Sequence, residues 1–213
     1  TGVSCDGMRI DIRKQIPVAA GLAGGSTDAA AVLVLLDELY DTGLGIKTLM
    51  QLGLKLGADV PFCIAGGTML AEGIGELLTP LPDAPQTHVV LCKPPFAVST
   101  PAVYRAIDAV KIAERPNTAA MRAAIVASDA AAVSNHLCNV MQPVTAGMHP
   151  EVDEICATLR QYGAMGAIMS GSGPSTFGLF DSLSDAQAAC AALAARYPET
   201  YLTGFSTASQ IKR

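Results

Sequence analysis

The 213-residue sequence predicts an α+β protein with two lobes, one on each side of a proline-rich segment. The segment 80–85 holds three prolines in six residues and is the best candidate for a linker. We therefore predict an N-terminal domain at 1–82 and a C-terminal domain at 83–213. From residue 150 onward the pattern is helix, strand, strand, helix, strand, an order that suits a split, ferredoxin-like sandwich.

The individual elements follow from periodicity and from helix start and stop signals. The segment 8–13 alternates apolar and charged side chains, which predicts a half-buried strand. A loop follows at 17–25, and Ser26 or Thr27 is expected to cap a helix that runs to about Tyr40. The other elements predicted before the linker are a helix at 46–56, a helix that begins near Asp59 and a strand at 66–70. After it we predict strands at 88–92, 164–169, 176–180 and 201–205 and helices at 100–111, 117–127, 129–138, 150–162 and 184–196.

Composition excludes several classes of protein. A net charge of −5 argues against a dedicated nucleic-acid-binding protein, which usually carries a basic patch. No apolar run approaches the ~18 residues of a membrane helix. The six cysteines lack a Cys-x-x-Cys pair, and the three histidines stand apart, so we expect reduced thiols in a cytoplasmic protein and no protein-bound metal site.

A glycine-rich loop lies between the first predicted strand and the first predicted helix. Its glycines stand at 21, 24 and 25, which fits neither a Walker A loop nor the dinucleotide fingerprint. A loop of this kind exposes backbone N–H groups at the positive end of a helix dipole, where phosphate oxygens bind. A tightly packed helix cap would also explain the glycines, and the glycines alone favour neither interpretation.

Asp59 is the strongest candidate for a chemical role in the sequence. It precedes Val60-Pro61, a typical helix start, and a cap contributing ~1 kcal/mol would account for it without any catalysis. The spacing alone favours this cap, although a carboxylate at this place could also accept the proton of an attacking hydroxyl. Glu72 and Glu76 follow shortly, and we expect them to be structural or solvent-facing.

Two further segments carry small or aromatic residues in distinctive patterns. The stretch 170–177, Ser-Gly-Ser-Gly-Pro-Ser-Thr-Phe, lies between two apolar strands and could be only a flexible hairpin. Tyr104 lies on a helix that begins near Thr100, where an aromatic side chain would ordinarily be a core residue.

Taken together, these segments resemble the GHMP kinases. The loop at 17–27 is similar to the second motif of that family and the stretch 170–177 to its third. Gly-Ala-Asp-Val-Pro at 57–61 and Gly-Ile-Gly-Glu at 73–76 are typical of its diphosphocytidyl kinase subfamily. Ala23 and Thr27 replace a glycine and a serine that are usual there.

The resemblance implies a role for each of these residues. Asp59 would be the general base, Thr100 and Tyr104 would bind the cytosine of the substrate, and Gly171, Ser172 and Gly173 would order the site. The residues that it assigns to the phosphates of ATP are Gly21, Leu22, Ala23, Gly24, Gly25, Ser26 and Thr27.

The resemblance also implies a fold and a reaction. The fold would combine an N-terminal lobe like the second domain of ribosomal protein S5, incomplete here, with a ferredoxin-like C-terminal lobe. The reaction would move the γ-phosphate of ATP, accompanied by Mg²⁺, to the C2 hydroxyl of 4-diphosphocytidyl-2-C-methyl-D-erythritol, in the route to isoprenoid precursors. No protein ligand for Mg²⁺ can be named, and a homodimer is one expected assembly.

The alternatives are another GHMP kinase, such as one acting on homoserine or mevalonate, and a non-catalytic member of the fold. The first motif of the family, with its catalytic Lys and a Tyr-His pair for the cytidine, is not found in these 213 residues. Lys14 should not be taken for that Lys. We therefore expect the chain to be a fragment that is inactive alone.

Overall fold

A computed structural model describes residues 7–108, 112 and 114–207 of the chain. The described residues divide into two compact units. The first contains 7–18, 23–81 and Thr207, and the second contains 19–22 and the described residues between 82 and 206. The short segment 19–22 thus belongs to the second unit, although its neighbours in sequence belong to the first.

The first unit contains three helices and a hairpin. They are α1 (Gly24–Leu39), α2 (Gly45–Leu54), α3 (Val60–Ala65), β1 (Met69–Glu72) and β2 (Leu77–Pro80). The helices pack around Ala30, Leu49, Val60 and Ile64. A Cβ on Gly53 of α2 would lie 2.7 Å from the Val60 side chain, so this glycine permits the close approach of α2 and α3.

Three predictions for this unit are wrong. Residues 8–13 form no strand, and their apolar side chains are exposed, because no neighbouring strand in the described part of the chain pairs with them. Helix α1 begins at Gly24, not after Ser26 or Thr27, because Ala23 in the left-handed conformation already turns the chain into the helix. The strand predicted at 66–70 begins only at Met69, and β2, which includes Pro80 of the supposed linker, was not predicted.

The second unit contains a four-stranded antiparallel sheet with helices. Its strands are β3 (His88–Lys93), β4 (Gly166–Met169), β5 (Thr176–Phe180) and β6 (Glu199–Gly204). Its helices are α4 (Thr100–Ile107), α5 (Thr118–Val126), α6 (Ala130–Asn135), α7 (Gln142–Met148), α8 (Glu151–Gln161) and α9 (Leu183–Ala194). The spatial order β4-β5-β3-β6 is that of a ferredoxin-like sheet, which confirms the predicted fold class.

Helices α8 and α9 cover one face of this sheet and form the main core with it. The buried residues of that core include Val90, Ile155, Leu159, Phe180 and Ala189. The alanines of α9 allow close packing on the sheet. A Cβ on Gly178 would lie 3.2 Å from the Leu159 side chain, so α8 also packs tightly there.

Several predicted boundaries in this unit differ from the structure. Helix α6 ends at Asn135 and not at 138, and helix α7 was not predicted. The α7 sequence carries Pro143 and Gly147 in seven residues, so its intrinsic helix propensity is low and packing must stabilise it. Helix α4 ends at Ile107; the remainder of the helix predicted at 100–111 includes 109–111, which lie outside the described residues.

The five described cysteines are all free. Burial raises the pKa of Cys92 and of Cys156 to about 11, so both thiols stay protonated at neutral pH. Within the described ranges, no helix has the length and apolar character that a bilayer span requires.

Phe180 should be the most sensitive position of the second core, because its ring is fully buried between the sheet and its helices. Phe180→Ala should lower the free energy of unfolding by about 3–5 kcal/mol in urea titration. Leu183→Ala is the control, since Leu183 at the start of α9 is 47% exposed and should change stability by less than about 0.5 kcal/mol. Equal effects of the two substitutions would contradict this assignment of the core.

Candidate active site

The turn 170–175 joins β4 to β5 and binds the segment 19–22. The Ser170 hydroxyl donates a hydrogen bond to the Gly21 carbonyl at 2.8 Å. The Ser175 N–H donates to the Ala20 carbonyl at 3.3 Å. These two bonds place the first part of the predicted phosphate loop on the predicted third motif, within the second unit.

This contact requires glycine on both sides. Gly21 has a φ of 71°, and a Cβ there would lie 2.3 Å from the Ser170 carbonyl oxygen. Gly171 has a φ of 55°, and a Cβ there would lie 3.2 Å from the Gly21 carbonyl oxygen. At Gly21 the backbones approach too closely for a side chain, and at Gly171 the approach is tight and φ is positive, so the glycines predicted from the motifs have a steric and conformational reason.

Helix α4 is tied to the same turn. The hydroxyls of Thr100 and Ser172 share a hydrogen bond of 2.7 Å. Tyr104 follows one helical turn after Thr100 and is 58% exposed, while Val103 is the buried residue of this helix. Tyr104 is therefore not a core residue, and its ring is free to contact a ligand.

Three polar side chains that the sequence analysis did not identify form hydrogen bonds with the backbone of the turn and of Met169, which precedes it. Asn139 donates to the carbonyls of Met169 and Gly171, both at 2.8 Å. Thr145, which is fully buried, donates to the Ser172 carbonyl at 3.1 Å, and Gln142 accepts from the Met169 N–H at 3.0 Å. Their spacing of three residues along 139–145 was the available signal, but it became meaningful only with the turn in place.

The second part of the predicted phosphate loop begins α1 in the first unit. Ala23 has a φ of 49° and no side chain caps the helix, so its first N–H groups have no partner within the helix. A Cβ on Gly25 would meet nothing within 4 Å, so the backbone is open there. The Ser26 hydroxyl makes no hydrogen bond with any residue that the structure describes.

Thr27 and Asp28 differ from Ser26 because their side chains form hydrogen bonds or an ion pair within the protein. The Thr27 hydroxyl donates to the Ala23 carbonyl at 3.0 Å and lies 3.7 Å from the sulfur of Cys63. Burial raises the pKa of Cys63, so its protonated thiol can donate to Thr27. Asp28 forms an ion pair with Lys14. The charge of Lys14 is therefore paired with the Asp28 carboxylate.

Asp59 stands at the N-cap of α3 but does not cap it. No side-chain hydrogen bond to the helix is formed, and the residue is exposed. Its carboxylate makes neither a hydrogen bond nor an ion pair with the described residues, whereas Asp129 and Asn117 cap α6 and α5 through side-chain bonds. The capping explanation for Asp59 therefore lacks its hydrogen bond.

The surroundings of Asp59 include two other predicted segments. A Cβ on Gly57 would lie 3.9 Å from the Ser26 hydroxyl oxygen, which places the first turn of α1 beside the loop that carries Asp59. A Cβ on Gly75 would lie 3.9 Å from a carboxylate oxygen of Asp59, so the β1–β2 turn borders it too. Glu76 accepts from the Ile74 N–H at 2.7 Å, which supports the structural role expected for it.

Among the described residues, no group of three or more His, Cys, Asp or Glu side chains could hold a metal ion. A Mg²⁺ ion that arrives with a nucleotide needs no such cluster, because phosphate oxygens and water supply most of its ligands.

Comparisons with known proteins show the family to which the chain belongs. Residues 1–67 match the family of the GHMP kinases N terminal domain, and residues 121–199 match GHMP kinases C terminal. A crystal structure of 4-(cytidine 5'-diphospho)-2C-methyl-D-erythritol kinase has a TM-score of 0.76 and 34% identity, covering 91% of this chain and 69% of that one. A homoserine kinase from Cytophaga hutchinsonii has a TM-score of 0.75 at 19% identity, covering 91% of this chain and 68% of that one, and shares the fold alone.

A 4-diphosphocytidyl-2-C-methyl-D-erythritol kinase of Alkaliphilus oremlandii is 49% identical over 197 residues, which are 92% of this chain and 68% of that protein. A kinase of the same name from Caldicellulosiruptor saccharolyticus is 46% identical over 198 residues, 93% of this chain and 68% of that protein. This chain belongs to the GHMP kinases and, within them, to the family of these diphosphocytidyl methylerythritol kinases. It is an ATP-dependent small-molecule kinase.

Two glycines of the loop should respond differently to the same substitution. Gly21→Ala forces a Cβ against the turn in a left-handed conformation and should lower the free energy of unfolding by at least about 2 kcal/mol. Gly25→Ala adds a Cβ in open space within a helix, so stability should stay constant or rise slightly. Urea titrations of both variants test this, and an unchanged Gly21→Ala protein would show that the Gly21 contact is not formed.

Proposed function

We propose that Asp59 is the general base for transfer of the γ-phosphate of ATP to the C2 hydroxyl of 4-diphosphocytidyl-2-C-methyl-D-erythritol. The observation that carries this proposal is the exposed Asp59 carboxylate, which the fold leaves unused at a position where it could have capped a helix. Such a carboxylate can orient the acceptor hydroxyl and accept its proton as the phosphoryl group is transferred.

The nucleotide would bind at the start of α1. The free N–H groups of its first turn carry the positive end of the helix dipole, and the open backbone at Gly25 admits phosphate oxygens. The unengaged Ser26 hydroxyl would add a donor. Thr27 would act indirectly, because its hydroxyl proton is given to the Ala23 carbonyl.

The cytidine end of the acceptor would bind on α4. The exposed ring of Tyr104 offers a stacking surface, and Thr100 is fixed by Ser172 beside it. A homoserine or mevalonate kinase would have no cytosine to stack, and the 19% identity to a homoserine kinase supports the shared fold and no more.

Mg²⁺ would accompany ATP and neutralise its phosphate charge, with most of its ligands supplied by phosphate oxygens and water. A cytoplasmic location and a homodimer stay predictions.

Asp59→Asn in the full-length protein should lower turnover by ~10²-fold or more, because the amide cannot accept the proton. ATP binding and the melting temperature should hardly change, since no hydrogen bond of the fold is lost. Coupled ADP release and a thermal melt measure both quantities.

Asp129 provides the matched control for Asp59. It is also an N-cap aspartate, but its carboxylate accepts the Ala132 N–H at 2.9 Å. Asp129→Ala should lower the free energy of unfolding by ~1 kcal/mol and leave turnover intact. Asp59→Ala should lower turnover and leave the free energy of unfolding nearly unchanged. If Asp59→Asn keeps turnover within a few-fold of the unaltered protein, Asp59 is not the base.

Tyr104→Ala should raise KM for the cytidyl acceptor by roughly ten- to a hundredfold, because base–aromatic stacking contributes ~1–3 kcal/mol. Tyr104→Phe keeps the ring and should be nearly silent, and KM for ATP should stay constant in both variants. Steady-state kinetics with melting curves decide the matter. A lower melting temperature with an unchanged acceptor KM would contradict the stacking role.

A further inference from the structure

We infer that Asn139 is a positioning residue for phosphoryl transfer, acting through the turn 170–175 on the segment 19–22 and on α4 together. This role rests on the proposed function. Asn139 itself would touch neither ATP nor the acceptor. The observation that carries it is that both N–H groups of the Asn139 amide donate to carbonyls at this turn, while its oxygen accepts from the N–H of Met141 at the start of α7.

The amide of Asn139 has only one orientation that satisfies its neighbours. Its Nδ2 group has two protons, and two carbonyl oxygens, of Met169 and Gly171, lie at 2.8 Å from it. Its Oδ1 accepts from the Met141 N–H at 2.9 Å. Reversing the amide would place an oxygen against two carbonyl oxygens and a donor against an N–H.

The two Nδ2 bonds fix the backbone immediately before and after Ser170. The carbonyl of Met169 ends β4, and the carbonyl of Gly171 lies in the turn. Thr145 adds a third fixed carbonyl, that of Ser172, from a side chain with no exposed surface. Of the four successive carbonyls from Met169 to Ser172, all but that of Ser170 thus accept a hydrogen bond from Asn139 or Thr145.

The same turn also binds both proposed binding elements of this unit. The Ser170 hydroxyl binds Gly21, and the Ser172 hydroxyl binds Thr100. A displacement of the turn would therefore move both the segment 19–22 of the proposed phosphate loop and the start of α4, where the acceptor is proposed to bind. Misplacement of reacting groups by about 1 Å costs on the order of 10²-fold in rate.

The Asn139 amide has two roles, since it donates to the turn and accepts from the Met141 N–H at the start of α7. Substitution can separate them. Asn139→Asp is isosteric and keeps the Oδ1 acceptor for Met141 at the start of α7, but it removes both donors to the turn. Asn139→Ala removes all three bonds. If the turn bonds matter, both variants should lower kcat/KM by roughly ten- to a hundredfold, with KM raised for ATP and for the cytidyl acceptor together.

Two matched variants accompany them in the full-length protein. Thr145→Val is nearly isosteric, removes one further bond to the turn and should show the same joint rise of both KM values, but smaller. Asn117→Ala removes an asparagine whose side chain only caps α5, so it should lower the melting temperature and leave both KM values unchanged.

Hydrogen exchange gives a readout that does not depend on turnover. Asn139→Asp should accelerate exchange of the Ser175 and Gly173 amides, whose N–H groups bind the Ala20 and Ser170 carbonyls, while the β3–β5 amides stay protected. Kinetics of Asn139→Asp equal to the unaltered protein, or unchanged exchange in the turn, would overturn the inference. If the unaltered protein shows no acceptor-dependent turnover but Asn139→Asp does accelerate exchange in the turn, the proposed function is wrong. The conclusion that Asn139 orders the turn is then still supported.

Discussion

The candidate site of the second unit depends on the contact between the segment 19–22 and the turn 170–175, in which Ser170 binds Gly21 across 149 positions of sequence. Ala20 and Gly21 lie against the turn 170–175, and the contact needs a glycine at 21 for steric reasons and is favoured by the glycine at 171, whose φ is positive. The contact assigns an N-terminal segment to the C-terminal unit. The first part of the proposed phosphate loop is therefore bound by the turn, and the turn is bound in its place by the side chains of Asn139, Gln142 and Thr145.

Polar groups in this protein fall into two kinds, and the distinction supports the functional proposals. Asn139, Thr145 and Thr27 have their hydrogen bonds satisfied by backbone atoms, so they stabilise and orient. Ser26 and Asp59 have no such partner in the described ranges; Ser26 lies in the first turn of α1, and Asp59 is the N-cap residue of α3. Side chains that the fold does not use at such places are available for a ligand.

Periodic segments and glycine motifs were predictable, and features set by distant contacts were not. The helix α8 and the strands β4 and β5 follow from apolar patterns long enough to specify them, and Gly21 and Gly171 follow from their motifs. The alternation at 8–13 was equally clear, but a strand also needs a neighbour, which periodicity does not supply. Helix α7 and Asn139 depend on packing and on the turn, so the three-residue spacing of polar side chains along 139–145 did not suffice to identify them.

The central claim is that this arrangement serves phosphoryl transfer to a diphosphocytidyl acceptor. The most direct measurement is ADP release by the full-length protein with Mg²⁺ and ATP, comparing 4-diphosphocytidyl-2-C-methyl-D-erythritol with homoserine, mevalonate and no acceptor, with the products identified by mass spectrometry. The account predicts acceptor-dependent release with the cytidyl compound alone and a product that carries one additional phosphoryl group. Comparable turnover with homoserine or mevalonate, or release that no acceptor increases, would contradict it.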